Sequence, residues 1–319
     1  MKFALKSLAA AALIAAVSAA SAAVVTGTVG QAVVVTDAAS GRSAELKLLS
    51  GTGGLYFSNG TGDPINGTPT TSVGGLVGAL NVGKVVLTPA DGAIVTETIL
   101  PIGSRVKTDT RAKVQIDAAV TALTAETTTG VFQSVQAFGG ATQSADFIAG
   151  VLEGGTASIT NLRIDLLNSR VYADVLGNAG TSYENRQNGL YLWDISNIQG
   201  PTTLAPSLLL GADPQAAMTA AGYTVLSNVN GLYTVQANNI LSGLKVTTEG
   251  FNFFADALGL TPGSTGYTTL ANVNNFAEGW GSMKSTLTFT VREVPEPSTY
   301  ALMGLGLVGI SLVARRRAK

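Results

Sequence analysis

The sequence predicts a mainly β body, an antiparallel sandwich or barrel with two short helices, carried between two end segments that belong to export rather than to the fold. Three observations predict it. Apolar and polar residues alternate through Ala112, Val114, Ile116, Ala118 and Val120, and again through Met283, Ser285, Leu287, Phe289 and Val291, the period-two pattern of strands with one face in a core. Pairs rich in Gly, Asn, Asp and Pro punctuate the apolar runs, and these residues supply the backbone angles of tight turns. Helical spacing with recognisable caps is confined to two short stretches. No fixed repeat period emerges, which argues against solenoids and propellers.

At the amino end, Lys2 and Lys6 precede an apolar segment from Leu8 to Val17 and the small-residue pattern Ala20-Ser21-Ala22. That order is a secretory signal over 1–23, a helix read by the secretion machinery and cut after Ala22 or Ala23. The body then runs from 24 to 293. Val24 to Val35, rich in Val and Thr, reads as the first strand, and Glu45 to Leu49 as a second. Ser50 to Gly83 is crowded with Gly, Thr, Asn and Pro and reads as open loops with short strands. Lys84 to Thr88 and Ile94 to Leu100 flank Pro89-Ala90-Asp91-Gly92, a hairpin connection.

Leu162 to Val175 is the strongest hairpin. With Asn168-Ser169 as a two-residue turn, Leu162 faces Val175, Ile164 faces Ala173 and Leu166 faces Val171, while Arg163 opposes Asp174 across the strands. Leu190 to Ile195, after an Asn188-Gly189 turn, reads as another strand. Asp213-Pro214 opens the first helix, which closes before Gly222. The second helix spans Glu249 to Leu258, with Phe251, Phe254, Ala255 and Leu258 on one side, Thr248 as its cap and Gly259 past its end. The body reads as one large unit or as two modules divided in the glycine-rich stretch near 130–155.

Composition narrows the function classes. The chain has no cysteine and no histidine, so an exported body must do without disulfides, and His-dependent triads, His general acid–base catalysis and Cys/His zinc sites are excluded. The end segments hold six of the 19 basic residues, Lys2, Lys6, Arg315, Arg316, Arg317 and Lys319, but of the 20 acids only Glu296. The body is therefore acidic, without the basic stripe that nucleic acid requires.

Few motifs carry chemistry. Ser104 with Lys107 and Ser242 with Lys245 match Ser-x-x-Lys, yet the companion motifs of that acyl-transfer chemistry are absent,. Dispersed carboxylates leave open a carbohydrate-active enzyme, which requires two of them across a cleft. Asp63 and Asp91 with nearby carbonyls offer an irregular Ca²⁺ arrangement. Tyr191, Trp193 and Trp280, with Tyr183, are candidate sugar contacts, since aromatic faces give large contact area at small entropic cost. No catalytic residue, metal ligand or cofactor is assigned.

The last stretch, Val294 to Lys319, holds Pro295-Glu296-Pro297-Ser298, an apolar run from Tyr300 to Ala314, and Arg315-Arg316-Arg317. An arginine cluster beyond an apolar run stays cytoplasmic and holds the upstream chain outside. The run supplies 15 residues, against roughly 20 for a stable spanning helix, so the membrane anchor is marginal. Gly304, Gly306 and Gly309 spell GxGxxG without a preceding strand and read as small residues of a membrane helix. In its three features and their order this tail resembles the PEP-CTERM sorting tail of bacterial surface proteins. The resemblance implies recognition by an exosortase-type membrane protease, transient residence in the inner membrane, cleavage near Pro295 to Pro297, and a role beside exopolysaccharide and biofilm. A permanent anchor is the alternative fate. The expectation for the whole is an exported, non-catalytic surface or matrix protein, with a carbohydrate-active enzyme or carbohydrate-binding protein as the competing class.

Overall fold

The computed structural model describes residues 22–68, 73–99, 110–179 and 183–294. In chain order the elements are β1 (Val24–Thr28), β2 (Ala32–Thr36), β3 (Ser43–Phe57), α1 (Gly75–Val82), β4 (Val86–Ala90), β5 (Ile94–Ile99), β6 (Arg111–Glu126), β7 (Phe132–Phe138), β8 (Gly140–Ala145), β9 (Gly155–Asp165), β10 (Arg170–Ala179), β11 (Tyr183–Asp194) and β12 (Asn197–Gln199). There follow α2 (Pro206–Leu209), α3 (Pro214–Ala220), β13 (Thr224–Val229), β14 (Leu232–Ser242), β15 (Lys245–Val246), α4 (Thr248–Ala257), α5 (Thr265–Asn272), a 3₁₀ turn at Val273–Asn275 and β16 (Gly281–Val294).

All described strands belong to one sheet with the path β12-β14-β16-β3-β6-β7-β9-β10-β11-β15, antiparallel throughout and curled into a half-barrel. The curl follows from strands that change partners along their length. The first part of β3 pairs with β2 (Val33 opposite Leu46) and the last part with β6 (Leu55 opposite Ile116), while the far end of β6 pairs with β1 (Val24 opposite Glu126). The β1–β2 segment therefore wedges into the gap where β3 and β6 diverge. Similarly, β9 pairs with β7 near Ile164 and with β8 near Ile159, and β4 and β5 line the opening by pairing with β8 and β6. Splitting a sheet this way, together with its bulges, bends it more than uniform twist does.

The concave face holds two apolar clusters. One gathers Trp193, Phe253, Phe254 and Trp280 with Leu76, Leu192 and Leu244, roofed by α1, α4 and α5; the other gathers Phe132, Leu204, Met218, Val235, Leu287 and Phe289. Both draw residues from early and late in the chain, and Leu166 packs against each. The 130–155 stretch is occupied by β7 and β8 of the same sheet.

The expected strands at 112–120 and 283–291 form with alternating burial, and the Asp213 cap accepts the Ala216 amide at 3.0 Å. Six details differ. Val24 to Val35 forms two strands, β1 and β2, rather than one, and β4 and β5 pair with β8 and β6 rather than with each other as a hairpin. Gly51, Gly53 and Gly54 lie inside β3 rather than in a loop; at Gly51 a Cβ would sit 2.7 Å from the Cβ of Val120, so the neighbouring strand needs the missing side chain. The β9–β10 turn has four residues, because Asp165 binds the Asn168 amide at 3.0 Å and its side-chain nitrogen at 2.9 Å, an Asx turn. Ile164 consequently faces Val171 and Arg163 faces Tyr172; Asp174 instead accepts from Asn161 and the Gly189 amide, each at 3.0 Å. Gly189, at φ 70°, is a bulge within one long β11 rather than a turn. The cap of α4 is Thr247, one residue earlier than expected, accepting from the Gly250 amide at 2.9 Å. Beyond the two expected helices, α1, α2 and α5 also form. The signal segment before residue 22, Ser104 with Lys107, Leu100 at the end of the expected second strand of the hairpin, and the tail after Val294 lie outside the described residues.

Candidate functional site

The aromatic residues separate into two environments. Trp193 and Trp280 are 3% and 2% exposed, with centroids 6.4 Å apart and Phe254 at 4.8 Å from Trp280. Trp193 lies on β11 and Trp280 in the turn just before β16, and both pack against Phe254 of α4. Neither ring meets the surface, so the expectation that both contact sugar is corrected: they are core. Tyr191 lies on the outer face, opposite Tyr172 of β10. The two rings lie tilted by 32° with centroids 5.3 Å apart, Arg163 lies over Tyr172 at 4.2 Å, and Arg170 lies over Tyr191 at 5.0 Å. The result is a row of guanidinium, ring, ring and guanidinium across three strands. The Tyr191 hydroxyl donates to Asp194; burial, then this bond and the carboxylate charge, push the phenol up to about 12. Both tyrosine rings already rest on protein groups, which leaves edges and polar tips for a ligand. Tyr172, Arg163 and Arg170 were missed in the sequence, and only the correct β9–β10 register brings them together.

The carboxylates are largely engaged by their own neighbourhoods. Asp63 accepts the amides of Ile65 and Asn66, each at 3.0 Å. Glu126 accepts the Thr128 amide at 2.9 Å, its hydroxyl at 2.6 Å and the Thr129 amide at 2.7 Å. Burial raises its pKa, but these bonds outweigh it and hold the carboxyl at about 2. Glu45, Glu97 and Glu293 pair with Arg292, Arg111 and Arg42. Glu278 stands apart. It is 6% exposed, its Oε1 accepts the Gly60 amide, and its Oε2 has no partner. Burial pushes its carboxyl above the ordinary range, against the pull of the Gly60, Asn59 and Gly62 amides, with Asp63 adding repulsion. It secures the loop from β3 to α1. Among the described residues no group of three or more Asp or Glu is placed to hold a metal ion. Lys245 of the Ser242 motif has its ammonium on the carbonyls of Asn274 and Phe276, at 2.5 and 2.6 Å, so it staples the chain ahead of β16 rather than activating a serine.

The last described strand leads to the sorting motif. β16 lies between β14 and β3 and ends at Val294 opposite Ser43; Pro295, Glu296, Pro297, Ser298, the apolar run and Arg315, Arg316 and Arg317 follow, outside the described residues. Among the described residues no helix is long and apolar enough to cross a membrane. Residues 293–317 match the family model of the PEP-CTERM protein-sorting motif. No curated protein and no solved structure matches the chain. The motif implies processing by exosortase, a membrane protein, and with it export and surface or extracellular location.

Proposed function

We propose that the body is a non-catalytic cell-surface or matrix module, exported through its signal, released from a transient inner-membrane anchor by exosortase and associated with exopolysaccharide. The observation that carries the reading is the junction: the PEP-CTERM match begins at residue 293, one residue before an interior strand of the sheet ends at Val294. The folded body is thereby presented directly at the processing segment with no linker domain between them. Two further features support a structural role. Asp63 and Glu126 are held in turns and Glu45, Glu97 and Glu293 in ion pairs, and the outer face offers hydroxyls and amides, such as Thr286 donating to Asn238 at 2.9 Å and Thr142 beside Ser158 at 2.9 Å. Such neutral groups hydrogen-bond a glycan at low desolvation cost.

Deleting Val294 to Lys319 is expected to move the protein from the cell surface to the medium or to degradation, read by surface labelling; unchanged display rejects the sorting role. Cosedimentation of the exported protein with cell-free exopolysaccharide tests the association, and Tyr191→Ala with Tyr172→Ala is expected to weaken it several-fold. Sugar release from the same polysaccharide by the purified protein would establish the enzyme reading instead.

A further inference from the structure

The half-barrel ends on one side at β12 and the β13–β14 hairpin. Among the described residues β13 pairs only with β14, in a register from Thr224 opposite Gln236 to Val229 opposite Leu232, closed by Asn230 and Gly231 at φ 52° and 79°. Five of its six residues are exposed, with Leu226 at 52% and Val229 at 63%. An exposed strand of this kind presents a row of backbone donors and acceptors, and proteins that must stay apart protect it with lysine, proline or inward charge. β13 has none of these residues, and its one irregularity is a register shift against β14 at Leu226. No charged residue lies anywhere between Asp213 and Lys245, although the body as a whole is acidic. At the opposite end of the sheet, β11 carries Glu184 and Arg186, charges of the kind that oppose edge pairing.

From this contrast we infer that β13 is a self-association edge: two copies of the chain pair β13 against β13 antiparallel about a two-fold axis, joining two half-barrels into one continuous sheet. Two-fold pairing brings the same short segment of both copies to the axis and sets like residues near one another. A charged strand repels itself there, whereas this one places Val, Leu, Ser and Asn together. The uncharged stretch lets two acidic bodies approach without like charges meeting at the edge. Leu226 and the hairpin-tip pair Val229 and Leu232 supply the apolar contact beside the new ladder. The occupant is thus a second copy and not an unrelated strand, whose charges would find no counterpart on this edge.

The test uses the protein recovered from cells after export. Sedimentation equilibrium is expected to give twice the chain mass, and Leu226→Lys and Ser227→Pro are each expected to reduce it to the single chain. Leu226 and Ser227 are solvent-exposed, so the Leu226→Lys variant should keep the wild-type melting temperature and far-ultraviolet circular dichroism. Because the chain has no cysteine, single cysteines introduced in turn at Leu226, Ser227 and Asn228 report the axis unambiguously: at least one should give a disulfide-linked dimer on mild oxidation, and Glu184→Cys on the opposite edge should not. A single-chain mass for the wild type at all concentrations overturns the inference. So does a dimer that survives both edge variants, cross-linking through Glu184→Cys alone, or a complex whose second member is a different protein.

Discussion

Glu126 and Glu278 show how the same side chain acquires opposite pH dependence from its surroundings. Glu126 is held at about 2, below its ordinary 4.5, because the hydroxyls and amides of Thr128 and Thr129 outweigh the burial that opposes them. Its stabilising effect is complete above the unfolded value and is lost as pH falls from the 4.5 range towards 2. Glu278 is raised by burial, with one oxygen unpartnered. The unfolded chain ionises this carboxyl more readily than the folded one, so the stability it confers is present at low pH and disappears as pH rises through its raised value. Glu278→Gln keeps an oxygen for the Gly60 amide and removes the buried charge. The variant is therefore expected to melt above the wild type at pH 7, with the gap closing at pH values below the carboxylate range; a wild type that melts higher at pH 7 would show that the ionised carboxylate is needed by the loop. Glu126→Gln is expected to lower the melting temperature at pH 7 and to match the wild type near pH 2.

At the scale of single elements, β6, α3 and β16 are legible in the sequence because local pattern and tertiary demand agree: period-two burial in the strands, and an Asp-Pro start with a glycine stop in the helix. β3 is not, because its Gly51-Thr52-Gly53-Gly54 segment has turn chemistry and is straightened only by pairing with β16 and β6. The β9–β10 register escaped for a related reason. Two registers differing by two residues keep the same face inward, so the apolar set could not choose between them, and the Asp165 turn did. Trp193 and Trp280 look alike to any surface reading of composition until the curl of the sheet decides which face is inside. The glycines of β3 also differ from one another in a way that only packing reveals. A Cβ at Gly51 would meet Val120 and Leu287 at 2.7 and 2.8 Å, while one at Gly53 meets nothing within 4 Å and faces a cavity of about 90 Å³. Gly51→Ala is expected to destabilise by about 1–3 kcal/mol through overpacking. Gly53→Ala, two residues on, is expected to stabilise by about 0.5–1 kcal/mol by removing unfolded-state freedom. Urea denaturation of the two variants checks the pair, and equal effects would mean that the cavity beside Gly53 closes in solution.

For the molecule as a whole, the sorting motif and the fold share a boundary, since the match begins at residue 293 and β16 ends at Val294. β16 is flanked on both sides, and its Leu287, Phe289 and Val291 are fully buried. Its last turns of ladder also carry two exposed ion pairs, Arg42 with Glu293 at 2.5 Å and Arg292 with Glu45 at 2.7 Å. Such pairs contribute about 0–1 kcal/mol each, whereas burying three large apolar side chains contributes about 1.5–3 kcal/mol apiece. The strand therefore resists removal through its core contacts, and the ion pairs add little. Arg42→Ala is accordingly expected to lower the melting temperature by no more than a few degrees and to leave surface display intact. A cut inside β16 would take an interior strand out of the sheet, so a cut that spares the fold falls after Val294. Intact-mass spectrometry of the exported protein is expected to show an amino terminus near Ala23 or Val24 and a carboxyl terminus at or after Val294. A mature chain ending before Arg292 would mean that the enzyme unfolds its substrate, and the sheet described above would then belong to the precursor alone.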